Sequence, residues 1–316
     1  MDPQQRLLLE EGYTALHRGG MRRESLQEAD MGAFVGIRQS EWRSSSVYAV
    51  TGGHAAVASG RLSFVLGFQG PAQSVNTACS SSLVALHGAA SALCLGDCAD
   101  ALALGVNLNL SARPLLGVAA AGMLSVDGRC KAFDARANGF VRSEAACCVV
   151  LLELLTAEHA CAVGSALLSG SAVRQDGRSA SLTSPNGSAQ RSLLQRAVQR
   201  ALLVSDDVAA VESHGTGTIL GDPIEVGALC SAGWDAGGLG LGASKASVGH
   251  SEPSAGLDGV LKATQSMHHR VMVGQAQLRV LNKNVASRLD ECTAHLGMPA
   301  RSGACCVASW RVEHVV

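Results

Sequence analysis

Short apolar runs alternate with longer amphipathic segments along this chain, and the alternation predicts β-strands separated by α-helices. Strands are expected at residues 32–37, 101–106, 147–152, 208–212 and 239–243. The run 147–152 is apolar at every position, which is typical of a strand buried on both faces of a sheet. Together these runs predict an α/β protein in which a parallel sheet is covered by helices.

The spacing of apolar residues predicts two helices. In residues 190–203 the apolar positions, Leu194 and Leu202 among them, fall on one helical face, and arginines and glutamines fill the other. Residues 83–95 form the second helix, which Gly96 ends. We expect two halves, 1–155 with a candidate nucleophile and 156–316 with a candidate histidine pair.

Composition narrows the possible classes of function. The 316 residues are 47% hydrophobic and 16% charged, which excludes a disordered chain. The 25 basic and 26 acidic residues form no blocks, so no nucleic-acid surface is expected. No apolar run reaches the roughly 18 residues of a membrane span, and no signal peptide is visible. We therefore expect a cytoplasmic protein without a membrane span, with a plastid as the alternative compartment.

The 11 cysteines include no Cys-x-x-Cys pair. Adjacent pairs at 147–148 and 305–306 stand in apolar surroundings and are interpreted as small buried side chains. Cys94 and Cys98 lack the second pair that would complete a zinc site. No metal site is therefore expected, and a reducing compartment is favoured.

One cysteine stands apart, because Cys79 follows a short strand-like run and precedes a predicted helix. Amide N–H groups and the positive end of the helix dipole favour a thiolate at that position. A thiolate is a nucleophile, and the small Ser and Ala neighbours at 76–82 leave space for an incoming chain. The alternative is that Cys79 is one more buried structural cysteine.

Two histidines follow predicted strands in glycine-rich turns. His214 begins the stretch 214–218 (His-Gly-Thr-Gly-Thr), and His250 ends the stretch 245–250 (Lys-Ala-Ser-Val-Gly-His). Open α/β sheets bind ligands at the carboxyl ends of their strands, so both positions are candidates for catalysis. A lone histidine is more often a structural residue, and His17, His54, His159, His268, His269 and His295 are assigned to that class.

These stretches resemble the Cys–His–His signature of β-ketoacyl synthases, and the ketosynthase domains of modular polyketide synthases are the most similar. The resemblance is carried by residues 76–82 (Asn-Thr-Ala-Cys-Ser-Ser-Ser), 214–218 and 245–250. Further family blocks follow in the same order, at 2–10, 60–63, 122–125, 127–131, 133–134, 175–178 and 185–187. Several independent blocks in order are a far more specific signal than one motif.

The resemblance implies a fold and a reaction. The fold is thiolase-like, an α/β arrangement of two stacked βαβ-rich halves in α-β-α-β-α layers. Cys79 is expected to take an acyl group from a carrier-protein thioester. His214 and His250 are expected to assist decarboxylation of a malonyl-type extender held on a phosphopantetheine arm. The carbanion then attacks the acyl-Cys, a Claisen condensation of polyketide or fatty acid synthesis, with no tightly bound cofactor.

Supporting residues and partners are implied in the same way. Lys245 and Glu225 match charged groups that orient the histidine pair and tune its protonation, and Asp222 is a further charged residue that supports the site. Thr216 and Thr218 match hydroxyls that hydrogen-bond the pantetheine arm. The partners are an acyl carrier protein or carrier domain, and a second copy or a larger synthase assembly.

Departures from the family occur at both ends. The chain begins at a block that lies inside a usual domain, so the first strand, expected in the middle of the first sheet, is predicted to be missing. The tail 308–316 lacks the glycine-rich loop that completes the oxyanion hole. These departures favour an alternative function, a degenerate ketosynthase-like subunit that binds a partner without turnover.

Overall fold

The computed structural model describes residues 1–42, 45–153, 166–181, 183–233, 239–290, 292, 294–296 and 304–307. These residues belong to two compact units. The first unit consists of Met1–Ala112, Ser143–Leu167 and Ser251–Leu257, and the second of Arg113–Arg142, Leu168–His250 and Asp258–Val316. The expected division near residue 155 and the tail 308–316 both lie outside the described residues.

The first unit is built on a four-stranded sheet of order β2-β1-β3-β4. Its strands are β1 (Met31–Ile37), β2 (Ala72–Val75), β3 (Asp100–Asn107) and β4 (Ala145–Leu152). Its helices are α1 (Pro3–Arg18), α2 (Arg23–Leu26), α3 (Ala49–Gly53), α4 (Val57–Leu66) and α5 (Ser81–Leu95). The side chains of Val35 and Leu104 pack with Leu62 of α4 in one core. The alternate residues Gly36 and Gly105 face α5, so helices cover both faces of this sheet.

The second unit is built on a sheet of order β7-β6-β5-β8 with parallel pairing throughout. Its strands are β5 (Val208–Glu212), β6 (Leu239–Gly242), β7 (Ala294–Leu296) and β8 (Ala304–Val307). The helices that follow α5 along the chain are α6 (Ala112–Ala120), α7 (Gly187–Arg200), α8 (Gly221–Cys230), α9 (Lys245–Val248), α10 (Ala255–His269) and α11 (Lys283–Leu289). Val211, Leu241 and Leu229 are fully buried in the core of this unit.

One expectation about the first sheet is wrong, because residues 147–152 do not form a parallel strand buried on both faces. β4 pairs antiparallel with β3 and lies at an edge of the described sheet, and its residues 147 and 148 are half-buried. An apolar run does not reveal strand direction, and an edge strand lacks a neighbour on one flank. β1 pairs directly with β3 along its whole length. The described strands therefore form a continuous sheet.

Two further differences concern helix α7 and the cysteines. α7 ends at Arg200, and Leu202 adopts a positive φ of 57° with 92% of its surface exposed, so this leucine is not part of the apolar face. A disulfide joins Cys230 and Cys292, which cysteine spacing did not predict. The fold causes this pairing, since α8, which Cys230 ends, packs against α11, which precedes Cys292.

One described helical stretch, Ala78–Leu95, has the length and mean hydropathy of a membrane span. Length and composition alone do not distinguish a span from an apolar core helix. Its main part, α5, packs against β1 and β3 of the first sheet.

Candidate active site

Cys79 lies in the first unit, in a tight turn between β2 and α5. The turn is a 3₁₀ helix, Ala78–Ser80, and the first residue has a positive φ of 52°. Such a conformation costs a non-glycine residue on the order of 1–3 kcal/mol, so neighbouring contacts must hold it. The Ser81 hydroxyl accepts the Thr77 N–H at 2.8 Å and donates to the Ala78 carbonyl at 2.6 Å. Cys79 itself carries a partly buried thiol.

A pair of glycines allows α5 to sit directly on the first sheet. Gly36 of β1 is the register partner of Gly105 of β3. A Cβ added at Gly36 would lie 2.5 Å from the Ser82 backbone nitrogen, and one at Gly105 would lie 2.9 Å from the Ser82 Cβ. No side chain fits at either position. The start of α5, and with it the Cys79 turn, is therefore placed by close backbone packing.

His214 lies in the second unit, in a loop that two buried carboxylates hold. Glu225 of α8 accepts the N–H groups of His214 at 2.6 Å and of Gly215 at 2.9 Å. Asp222 accepts the Gly217 N–H at 3.1 Å and the Phe133 N–H at 2.8 Å. The carboxylates thus bind backbone donors of the loop, which fixes the position from which the His214 ring projects.

The same loop carries the two threonines. Thr216 is buried and Thr218 is half-buried, and their hydroxyl oxygens lie 3.4 Å apart. Gly217 between them has a φ of 76°, and a Cβ there would lie 2.6 Å from the Lys131 backbone nitrogen. Only glycine satisfies both the backbone conformation and this close approach.

The structure brings His250 and Lys245 together with His214. The rings of His214 and His250 meet edge to face with centroids 5.4 Å apart, and Phe140 contacts His250 in the same geometry at 5.1 Å. The backbone N–H of His250 donates to the Val141 carbonyl at 2.8 Å. Lys245 begins α9 and is 3% exposed.

Burial and positive charge keep both imidazoles neutral. Burial lowers the pKa of His214 well below 6.5, and Lys245 and then His250 lower it further. The pKa of His250 is lowered in the same way by burial, then by Lys245 and Arg142. A neutral imidazole has one N–H donor and one acceptor nitrogen. The pair therefore presents hydrogen-bond donors near a buried ammonium group, a combination suited to an oxygen that becomes negative.

Three neighbours of the pair were not found by sequence reasoning. Arg142 is a buried cation bridged to His250 through the backbone, and Phe140 packs on the same ring. Glu212 is a buried carboxylate at the end of β5, two residues before His214. A lone charge at the end of an apolar strand is the sequence signal that would have singled out Glu212.

Comparison with known sequence families decides the classification. The family described as "Beta-ketoacyl synthase, N-terminal domain" matches residues 1–157, and "Beta-ketoacyl synthase, C-terminal domain" matches residues 165–279. The chain belongs to the β-ketoacyl synthase family. The predicted family resemblance is confirmed.

The relatives of this β-ketoacyl synthase are polyketide synthases. Phenolphthiocerol synthesis polyketide synthase type I Pks15/1 of Mycobacterium bovis is 46% identical over 282 residues, which are 86% of this chain and 13% of the relative. Erythronolide synthase EryA2 of Saccharopolyspora erythraea is 42% identical over 86% of this chain and 8% of the relative. The chain thus spans a small fraction of the length of these relatives.

Solved ketosynthases share its fold. The ketosynthase from module 6 of the bacillaene synthase of Bacillus subtilis 168 superposes with a TM-score of 0.88 and 33% identity, covering 99% of this chain and 57% of that one. The oxazolomycin ketosynthase domain OzmH KS7 of Streptomyces albus gives a TM-score of 0.86 at 32% identity, covering 95% and 53%. The expected thiolase-like α/β fold is confirmed.

Proposed function

We propose that this protein is a condensing acyltransferase of polyketide synthesis, a ketosynthase that extends an acyl chain by decarboxylative Claisen condensation. The observation that supports it best is the buried pair of His214 and His250, with ring centroids 5.4 Å apart and both pKa values lowered by burial and by Lys245. Such a pair offers neutral N–H donors to a developing enolate oxygen.

The first step is acyl transfer to Cys79. Its Sγ attacks the carbonyl carbon of an acyl thioester, the new C–S bond forms, and the carrier thiolate leaves. Sulfur suits this exchange, since a thiolate is both a soft nucleophile and a good leaving group. Cys79 lies just before α5, where the positive end of the helix dipole favours the negative charge of a thiolate.

The second step is decarboxylation of a malonyl-type thioester. The C–C bond to the carboxylate carbon breaks and carbon dioxide leaves. The electron pair of that bond forms an enolate, with its negative charge on the thioester oxygen. N–H donors of His214 and His250 stabilise this charge, and the ammonium of Lys245 adds to the stabilisation. The enolate carbon then attacks the acyl carbonyl on Cys79, a C–C bond forms, and the Cys79 thiolate leaves.

The substrates define the partners of this reaction. Both thioesters are proposed to be carried by a phosphopantetheine arm of a carrier protein or domain, with the hydroxyls of Thr216 and Thr218 as its hydrogen-bond partners. The proposed assembly is a homodimer or part of a larger synthase, and the proposed location is the cytoplasm. The polyketide synthase relatives support the carrier and the larger assembly.

A condensation assay tests the function. The protein is incubated with a short acyl thioester and malonyl-N-acetylcysteamine, and the β-ketoacyl product and carbon dioxide are measured. We expect one carbon dioxide per product and acylation of Cys79 alone, located by mass spectrometry. Cys94→Ala, which removes an exposed thiol, serves as the control and keeps full activity. Acylation of Cys79 without any condensation would instead support a subunit that binds carriers without turnover.

A further inference from the structure

Two charged side chains that the mechanism does not use meet at the ends of β5 and β6. Glu212 is 3% exposed, and its Oε2 lies 2.7 Å from Nζ of Lys262 on α10. Its other oxygen, Oε1, accepts the backbone N–H of Ser244. The Glu212 carboxylate therefore links three parts of the second unit: the end of β5, Ser244 in the turn between β6 and α9, and the middle of α10.

Glu212 and Ser244 lie next to residues of the candidate site in the sequence. His214 lies two residues beyond Glu212, and Lys245 follows Ser244. A second link supports the same junction, because the N–H and the hydroxyl of Ser213 both donate to the Gly242 carbonyl at 2.8 Å. The strand end before His214 is thus tied to the turn before Lys245 by side chains as well as by the sheet.

The ion pair is tightly packed over the sheet. Gly242 is the register partner of Glu212. A Cβ added at Gly242 would lie 3.0 Å from Nζ of Lys262 and 3.2 Å from Oε2 of Glu212. The absence of a side chain at Gly242 gives the carboxylate and the ammonium the space to meet.

Stability alone is a weak reason for such a pair. Removing two charges from water costs free energy, and an apolar pair of similar size is often equally stable or more stable. What an apolar pair does not supply is a directed hydrogen bond to the Ser244 N–H and a fixed distance between two loops. The geometry therefore points to a role in placing the residues that follow.

We propose that Glu212 and Lys262 form a positioning pair that holds His214 and Lys245 at the spacing required for decarboxylation. This inference rests on the proposed function, in which His214 and Lys245 stabilise the enolate. Acyl transfer to Cys79 does not use the spacing, so the pair affects one step and leaves the other unchanged.

Glu212→Gln is the informative variant. Glutamine keeps the size of the side chain and an oxygen for the Ser244 N–H, but its amide does not balance the charge of Lys262. We expect kcat for decarboxylation of malonyl-N-acetylcysteamine to fall about tenfold or more, since small displacements of catalytic groups have effects of this order. KM for the malonyl thioester and acylation of Cys79, measured on the same preparation, stay at the parent values.

Two further variants separate positioning from folding. Asp134→Asn makes the same carboxylate-to-amide change at a buried side chain that is paired with Arg136 at 2.7 Å. It is expected to lower the melting temperature while decarboxylation per acylatable Cys79 is unchanged. Glu212→Gln combined with Lys262→Met removes the unbalanced charge, so the melting temperature recovers while decarboxylation stays low.

The outcomes divide cleanly. Low decarboxylation with normal acylation in both Glu212 variants supports the positioning pair. If decarboxylation follows the melting temperature in all three variants, or if Glu212→Gln matches the parent, the pair is structural and the proposal fails while the proposed function stands. If the parent itself releases no carbon dioxide, the proposed function fails and the positioning pair falls with it.

Discussion

The turn that carries Cys79 and the loops that carry the histidines are held by different kinds of contact. The Cys79 turn is held by short hydroxyl-to-backbone hydrogen bonds and by a close approach between α5 and two glycines. The His214 loop is held by buried carboxylates bound to backbone N–H groups, and a buried lysine acts on both imidazoles. Steric packing therefore places the nucleophile, and charged side chains hold the loop of His214.

This difference matches what each side does in the proposed reaction. A nucleophile needs a fixed position and a few amide donors, which backbone packing supplies without extra charge. The histidines must remain neutral and still face a developing negative charge. A buried cation achieves both, because it lowers their pKa values and stabilises the enolate. The comparison therefore predicts that the two regions can be disabled separately.

The largest effect is expected from Cys79→Ala. Removal of the sulfur abolishes acylation and condensation, since the acyl-enzyme bond cannot form. Decarboxylation of malonyl-N-acetylcysteamine continues near the parent rate, because its donors are on the histidines. Carbon dioxide release and acyl loading are measured side by side. Loss of both activities in this variant, with a normal melting temperature, would contradict a separate role for the histidine region.

A large effect on the nucleophile side is expected from Gly36→Ala. The added Cβ would lie 2.5 Å from the Ser82 nitrogen, so the start of α5 must move. Overpacking of this kind costs roughly 1–3 kcal/mol, and acylation of Cys79 slows with the displaced turn. The control is Gly60→Ala in α4, where the new Cβ meets no atom within 4 Å. Urea unfolding compares the free energies of unfolding of the two variants. Equal values would show that the close packing of α5 on Gly36 does not matter for stability.

A smaller effect, a shift along the pH axis, is expected from Lys245→Met. The lysine lowers the pKa values of His214 and His250, so its removal raises both. In the parent the neutral imidazoles persist to pH values below 6.5. In the variant the acid limb of the decarboxylation profile moves to higher pH, and the maximal rate falls. Lys245→Arg keeps the charge and should leave the acid limb in place. An acid limb at the same pH in the parent and both variants would exclude an electrostatic role for Lys245.

Sequence reasoning predicted the strand ends before the candidate histidines because its signals are local. β5 was expected at 208–212 and is found at Val208–Glu212, and β6 was expected at 239–243 and ends at Gly242. A short apolar run followed by glycines indicates where a strand ends. Open α/β sheets bind ligands at the carboxyl ends of their parallel strands. His214 and His250 follow from that rule, whereas the role of Lys245 is implied by the family resemblance.

The contacts that support the site could not be predicted in the same way. Glu225 and Asp222 act through backbone N–H groups, which carry no sequence signal, and Lys262 reaches Glu212 from a distant helix. The edge position of β4 was also missed, because an apolar run does not state which neighbours flank it. Partner choice in a sheet is a property of the whole fold.

The most direct test of the account measures both steps in His214→Ala and His250→Ala. Each variant is incubated with a short acyl thioester to quantify acyl-Cys79 and, separately, with malonyl-N-acetylcysteamine to quantify carbon dioxide. We predict acylation at the parent level and a loss of decarboxylation of about 10²–10³-fold, the size expected when one enolate donor is removed. Decarboxylation at the parent rate in both variants, or an equal loss of both steps, would contradict the assignment of separate roles to the two regions.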